Sequence, residues 1–116
     1  MGKASREKGK RGERWLAHQM RLALPECAEH IKRGWQTRGA KGTAEPDVHA
    51  PGVWLEMKSG KKPSPRAALA QAEADSCETG LMPVAVIKDD RQEAFIVMRF
   101  GDWLELYVEA HRARQA

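Results

Sequence analysis

The chain has too little cysteine for a disulfide-built scaffold. Cys27 and Cys77 stand alone, in no Cys-x-x-Cys pair, which suits a reducing cytoplasm, the location expected here. No apolar run approaches the roughly 20 residues that a bilayer span needs, so no membrane partner is expected. The basic start MGKASREKGKRGER is followed by no apolar signal-peptide core, which argues against secretion. His18, His30, His49 and His111 show neither HxxxH nor HNH-like spacing, and there is no Cys/His zinc constellation. A P-loop and a dinucleotide-binding glycine pattern are both missing, so no nucleotide cofactor is expected. Internal repeats and low-complexity tracts are absent too.

What is present is charge, unevenly placed. Through Arg66 the Lys/Arg excess is +8, and from Ala67 onward the balance is −4. A basic first half points to a polyanion, with nucleic acid the first candidate; a merely solvated basic surface is the plainer alternative. At 116 residues the chain has room for one domain with a modest core.

The elements follow from pattern. Residues 1–9 (MGKASREKG) are polar and expected to be flexible, with one domain spanning 10–116. From Lys10 to Leu24 the recurrence of Leu16, Met20 and Leu24, beside Ala17 and Ala23, predicts a helix that Pro25 stops. Glu13 falls on that apolar stripe, where a carboxylate belongs at a groove or the rim of the core; a solvated glutamate near a helix start is the alternative. His30–Gln36 alternates as a strand. The loop Thr37–Glu45 offers Arg38 and Lys41 to phosphates, or simply connects. Ser64 reads as an N-cap with Pro65 at the first helical position of an alanine-rich helix to about Cys77. Met82–Ile87 and Ala94–Phe100 read as strands around the polar turn Lys88–Gln92. Asp102 and Glu105 suggest a capping box, opening a helix to about Ala113 with Trp103, Leu106, Tyr107 and Ala110 as its buried stripe. The expected fold is α/β, a mixed central sheet of about five strands flanked by helices in the order α-β-β-β-α-β-β-α.

One stretch carries chemistry. Asp47–Ala50 and Val53–Lys58 alternate on either side of Pro51-Gly52, a turn dipeptide. A two-residue loop pairs Ala50 with Val53 and Val48 with Leu55, and sets Asp47 opposite Glu56. Trp54, Glu56 and Lys58 then share one face, with Val53, Leu55 and Met57 on the other. Directly opposed carboxylates have Cβ atoms about 5 Å apart and repel, which calls for a cation. A type II turn, favoured by Pro51-Gly52, twists against an ideal two-residue hairpin, and a bulge there would shift the register. Mg²⁺ suits Asp47, Glu56 and a backbone carbonyl such as that of Met57. Such an ion polarises phosphate and lowers the pKa of water, while Lys58, kept charged by the carboxylates, can orient that water or hold the phosphate. His49 shares the face of Asp47, as a phosphate contact or a structural residue.

Pro46-Asp47 followed by Glu56-Met57-Lys58 resembles the signature of the PD-(D/E)xK nuclease superfamily. With Lys8-Gly9-Lys10-Arg11-Gly12-Glu13-Arg14 and the alanine-rich helix bearing Gln71, the chain from Lys8 to Arg99 is similar to the small archaeal and phage-type Holliday junction resolvases. It also resembles phage nucleases of the VRR-NUC kind. The resemblance implies a restriction-endonuclease-like core and a Mg²⁺-dependent (or Mn²⁺-dependent) endodeoxyribonuclease acting on four-way DNA junctions as a homodimer, in a bacterial or phage-infected cell. It implies Glu13, Asp47 and Glu56 as metal ligands, Lys58 as the catalytic lysine and Gln71 as an accessory residue. The basic flank of Lys8, Lys10, Arg11, Arg14, Arg33, Arg38, Lys41, Lys61 and Lys62 resembles a junction-binding surface. The carboxyl-terminal helix or the strand near Phe95 is expected to supply a two-fold contact. Two alternatives remain: a nuclease of the same fold acting on flaps or nicks, and a nucleic-acid-binding module without turnover.

Overall fold

The computed structural model describes residues 3–34 and 44–116, with side chains in the first stretch from residue 7 onward. Helix α1 (Lys3–Ala23) is followed by a 3-10 turn over Pro25–His30, strands β1 (Lys32–Arg33), β2 (Val48–Ala50) and β3 (Val53–Gly60), helix α2 (Pro65–Ser76), strands β4 (Met82–Asp89) and β5 (Phe95–Val97), and helix α3 (Phe100–Gln115). The expected order of elements holds, with the 3-10 turn added. Helix α1 begins at Lys3, so most of the segment expected to be flexible is helical. No helix among the described residues is long and apolar enough to cross a membrane.

The sheet is open, mixed and five-stranded, in the order β1-β2-β3-β4-β5. The β2–β3 hairpin has the expected register, Ala50 opposite Val53 and Val48 opposite Leu55. Its loop is Pro51-Gly52 with Gly52 at φ +80°, the value that a type II turn demands at its third position and that glycine adopts at no steric cost. The poorer match of that turn to strand twist is tolerated without a bulge in the loop. Strands β3 and β4 run parallel over eight residue pairs, joined by α2 as a crossover.

Alternation along these two strands builds a layer on each face. Leu55 and Met57, with Val84 and Val86 beside them in register, meet Leu16 and Ala17 of α1 in the larger cluster. Burying a side chain such as Leu16 is worth about 1.5–3 kcal/mol. Ala23, expected on this stripe, is exposed, while Met20 and Leu24 pack against the cluster. On the other face Ala85 and Ile87 pack with Ala68 of α2, and small side chains let that helix lie close. Ser64 caps α2 as expected, its hydroxyl accepting from the Ala67 amide at 3.2 Å, an interaction worth about 1 kcal/mol.

Helix α3 departs from expectation. It starts at Phe100 after Arg99, which makes no side-chain capping bond, and none of its residues is buried. The expected capping box and the buried stripe of Trp103, Leu106, Tyr107 and Ala110 therefore do not form. The helix leaves the edge of the sheet without turning back onto it. Arg99, just before it, is tied to Glu73 of α2, donating to that carboxylate from Nη2 at 2.8 Å; this pairing holds Glu73 below its ordinary pKa.

Candidate active site on the β2–β3 hairpin

The hairpin brings its two carboxylates together. The Asp47 backbone amide donates to the Leu55 carbonyl at 2.9 Å, and the Asp47 side chain accepts from the Met57 amide at 2.8 Å. Asp47 thus brackets Glu56 from one residue before to one residue after. Alternation keeps Trp54, Glu56 and Lys58 on the α2 face of β3, while Leu55 and Met57 face α1. The Lys58 ammonium stands 3.8 Å from a Glu56 oxygen, with 39 % of its side chain exposed against 6 % for Glu56. The carboxylate is inside and the lysine at the rim.

Close approach of β1 shapes this corner. The Gly34 amide donates to the Asp47 carbonyl at 3.0 Å, and a Cβ on Gly34 would stand 2.1 Å from the Pro46 carbonyl oxygen. Only glycine leaves room for Pro46-Asp47 to lie there. Sequence alternation alone treats Gly34 as an ordinary strand position, so its importance was hidden.

Charge makes Glu56 unusual. Burial, then the neighbouring Asp47 carboxylate, push its pKa from the ordinary 4.5 up to about 7; Lys58 opposes them and Asp75 of α2 adds to the rise. The buried Trp54 indole N–H favours the ionised form weakly but reaches no hydrogen-bonding geometry with any described residue. Asp75 was not picked out from sequence. It lies one helical turn beyond Gln71, and a partner for the hairpin could have been sought at that spacing. Gln71 itself is exposed.

Glu13 has a different setting. It is buried on α1 and accepts from the Arg33 Nε and Nη2 at 3.1 and 3.0 Å. Arg33 sits opposite Val48 on the sheet, on the α1 face, whereas Glu56 faces α2. The described contacts join Asp47, Glu56 and Lys58, with Asp75 nearby, and tie Glu13 to Arg33 instead. Among the described residues no group of three or more His, Cys, Asp or Glu side chains is placed to hold a metal ion. The donor set of Asp47 and Glu56 nevertheless fits a hard divalent ion, because Mg²⁺ takes one or two protein carboxylates and keeps several waters. The buried Glu56 carboxylate, which resists ionising beside the half-buried Asp47, gains most from such a charge.

The cations expected to meet DNA divide into groups. Arg11, Arg14, Lys61 and Lys62 are exposed. Lys8 is engaged with Asp90 at 3.0 Å, Lys10 lies 3.9 Å from Glu7, and Arg33 is committed to Glu13. Arg38 and Lys41 fall outside the described residues. His49 meets Glu45 at 3.2 Å. No family model, no curated protein and no solved structure matches this chain.

Proposed function

We propose that the protein is a metal-dependent endodeoxyribonuclease that hydrolyses phosphodiester bonds in branched DNA, with the four-way junction as its substrate and a restriction-endonuclease-like core. The observation that carries this reading is the hairpin: Asp47 braced on the strand that holds Glu56, and Lys58 3.8 Å from the Glu56 carboxylate. A protein that only bound DNA would gain nothing from adjacent carboxylates, one of them buried, that repel phosphate.

Asp47 and Glu56 would hold Mg²⁺ (Mn²⁺ is the natural substitute), with the Met57 carbonyl available at the same level of the strand. The ion supplies Lewis-acid polarisation of the phosphate and a more acidic water. Lys58, half-exposed at the rim, contributes a point charge to a non-bridging phosphate oxygen and to the charge that builds on it during attack. Glu56, held near neutrality by burial and Asp47 in the metal-free chain, would be kept ionised by the cation and serve it as a ligand. Arg11, Arg14, Lys61 and Lys62 supply exposed charge for the DNA backbone. The free thiols of Cys27 and Cys77 suit a cytoplasmic location.

The test offers the protein a synthetic four-way junction, a flap and a linear duplex, with Mg²⁺ or with EDTA, beside a Glu56→Gln variant. Symmetric, Mg²⁺-dependent nicks on the junction, absent from the variant, support the proposal. Preferred cutting of the flap supports a nuclease with another target. Binding without cleavage in Mg²⁺ or Mn²⁺ leaves a DNA-binding module.

A further inference from the structure

Among the described residues two side-chain polar atoms are buried with no hydrogen-bond partner, the indole Nε1 of Trp54 and the Oγ of Ser59. Ser59 faces α1, where the backbone of Gly12 comes so close that a Cβ there would collide with the hydroxyl. Helix packing covers that hydroxyl. Trp54 is different, because it is buried beside an acceptor. An indole N–H can only donate, and when buried it usually finds an acceptor. A buried donor left unpaired calls for a physical explanation. Trp54 and Glu56 share the α2 face of β3, two residues apart, a Cα separation of about 6.6 Å. The two side chains together can span that distance. Both are closed to solvent, 2 % and 4 % exposed, so bulk water supplies neither with a partner. The indole stands close enough to favour the ionised Glu56 weakly without reaching hydrogen-bonding geometry. His49 lies opposite Trp54 in register, but its Nε2 meets Glu45 and its side chain is 37 % exposed. Lys58, 3.8 Å from a Glu56 oxygen, lies on the far side of Glu56 along the strand.

We propose that Trp54 is a positioning residue for the metal site: its indole N–H donates to one oxygen of the Glu56 carboxylate and orients the other toward a divalent cation. A carboxylate has about four lone-pair sites on its two oxygens, and a ligating oxygen leaves those of the other to be satisfied. In a pocket closed to water a protein N–H must do this, and the Trp54 indole is buried with nothing else to bond. Hydrogen bonds of this kind, from donor to ligating carboxylate, set ligand orientation and strengthen metal binding. The inference rests on the metal reading of the hairpin and adds to it a residue outside the pattern of Asp47, Glu56 and Lys58.

Replacing Trp54 by β-(3-benzothienyl)alanine puts sulfur where the N–H stands, deleting the donor while keeping the shape of the ring system. Mg²⁺ is titrated into both proteins, without DNA, by calorimetry and by nuclear magnetic resonance. In the wild type the Trp54 indole proton, identified by its absence from the substituted protein, should move downfield as it bonds to the carboxylate. The substituted protein should bind Mg²⁺ about tenfold more weakly, with an unchanged urea midpoint in EDTA. Trp15→Phe, an exposed position on α1, should bind Mg²⁺ as the wild type does. Equal affinity in the sulfur-substituted protein overturns the proposal. So does a lowered urea midpoint in EDTA, the mark of a purely structural role, or an equal loss of affinity in Trp15→Phe. A Trp54 indole proton that stays in place while the Asp47 and Met57 amides respond to Mg²⁺ overturns this inference alone. Amides at Asp47 and Met57 that respond to neither Mg²⁺ nor Mn²⁺ overturn the metal reading, and this inference with it.

Discussion

Replacing Glu56 by Gln should stabilise the metal-free protein at alkaline pH and leave it nearly unchanged in acid. The folded pKa of Glu56 is raised from 4.5 to about 7 by burial first and by Asp47 second. Below the unfolded pKa the carboxyl is protonated in both states, and its contribution to stability is fully present. As pH rises toward the folded value, the unfolded chain ionises while the native one still holds its proton, so stability is lost. The whole interval corresponds to roughly 3 kcal/mol. Between about pH 5 and about pH 8 the wild type should lose roughly 2.5 kcal/mol relative to Glu56→Gln. Only 4 % of Glu56 is exposed, so solvent screening does little to reduce this figure. Urea unfolding of both proteins in EDTA at the two pH values measures it, and the subtraction removes the titrating groups that do not interact with Glu56. A gap that does not change with pH would refute the argument that burial and Asp47 set the charge of this residue. Adding Mg²⁺ at pH 8 should then stabilise the wild type and not the variant, by about 2.7 kcal/mol at a hundredfold excess over the dissociation constant.

Two further substitutions probe the frame around the site. Gly34→Ala places a Cβ against the Pro46 carbonyl oxygen and should cost about 1–3 kcal/mol by displacing backbone; hydrogen exchange should show the Met57 amide, bonded to Asp47, losing its protection, and an unchanged Met57 amide would count against the close approach. Arg33→Ala removes both hydrogen bonds from Arg33 to the Glu13 carboxylate, whose side chain is only 12 % exposed, and should cost about 2–3 kcal/mol at neutral pH. Its denaturation midpoint should recover in part when Glu13→Gln is added, since the buried charge is then gone.

The succession of elements was legible because each depends on neighbours in the chain. Ser64-Pro65 starts α2 by local hydrogen bonding and a pre-set φ, Pro25 ends α1, and a Gly52 that accepts positive φ closes the hairpin. The period of two along β3 sent Leu55 and Met57 one way and Glu56 and Lys58 the other, and the register followed from loop length. Apolar pattern misled at α3 for a physical reason. Periodicity shows that a face needs covering, but what covers it depends on surfaces elsewhere, and none of the described residues buries it.

By itself, then, the sequence determined a two-residue hairpin with Asp47, Glu56 and Lys58 on its α2 side, since side-chain alternation and turn geometry act over a few bonds. Only the tertiary structure decided the company of those residues. Packing of α1 on the opposite face commits Glu13 to Arg33, α2 brings the charge of Asp75 toward Glu56, and β1 crowds Pro46-Asp47 so closely that position 34 must be glycine. Those partnerships arise between elements far apart in the chain, where spacing carries no information about distance.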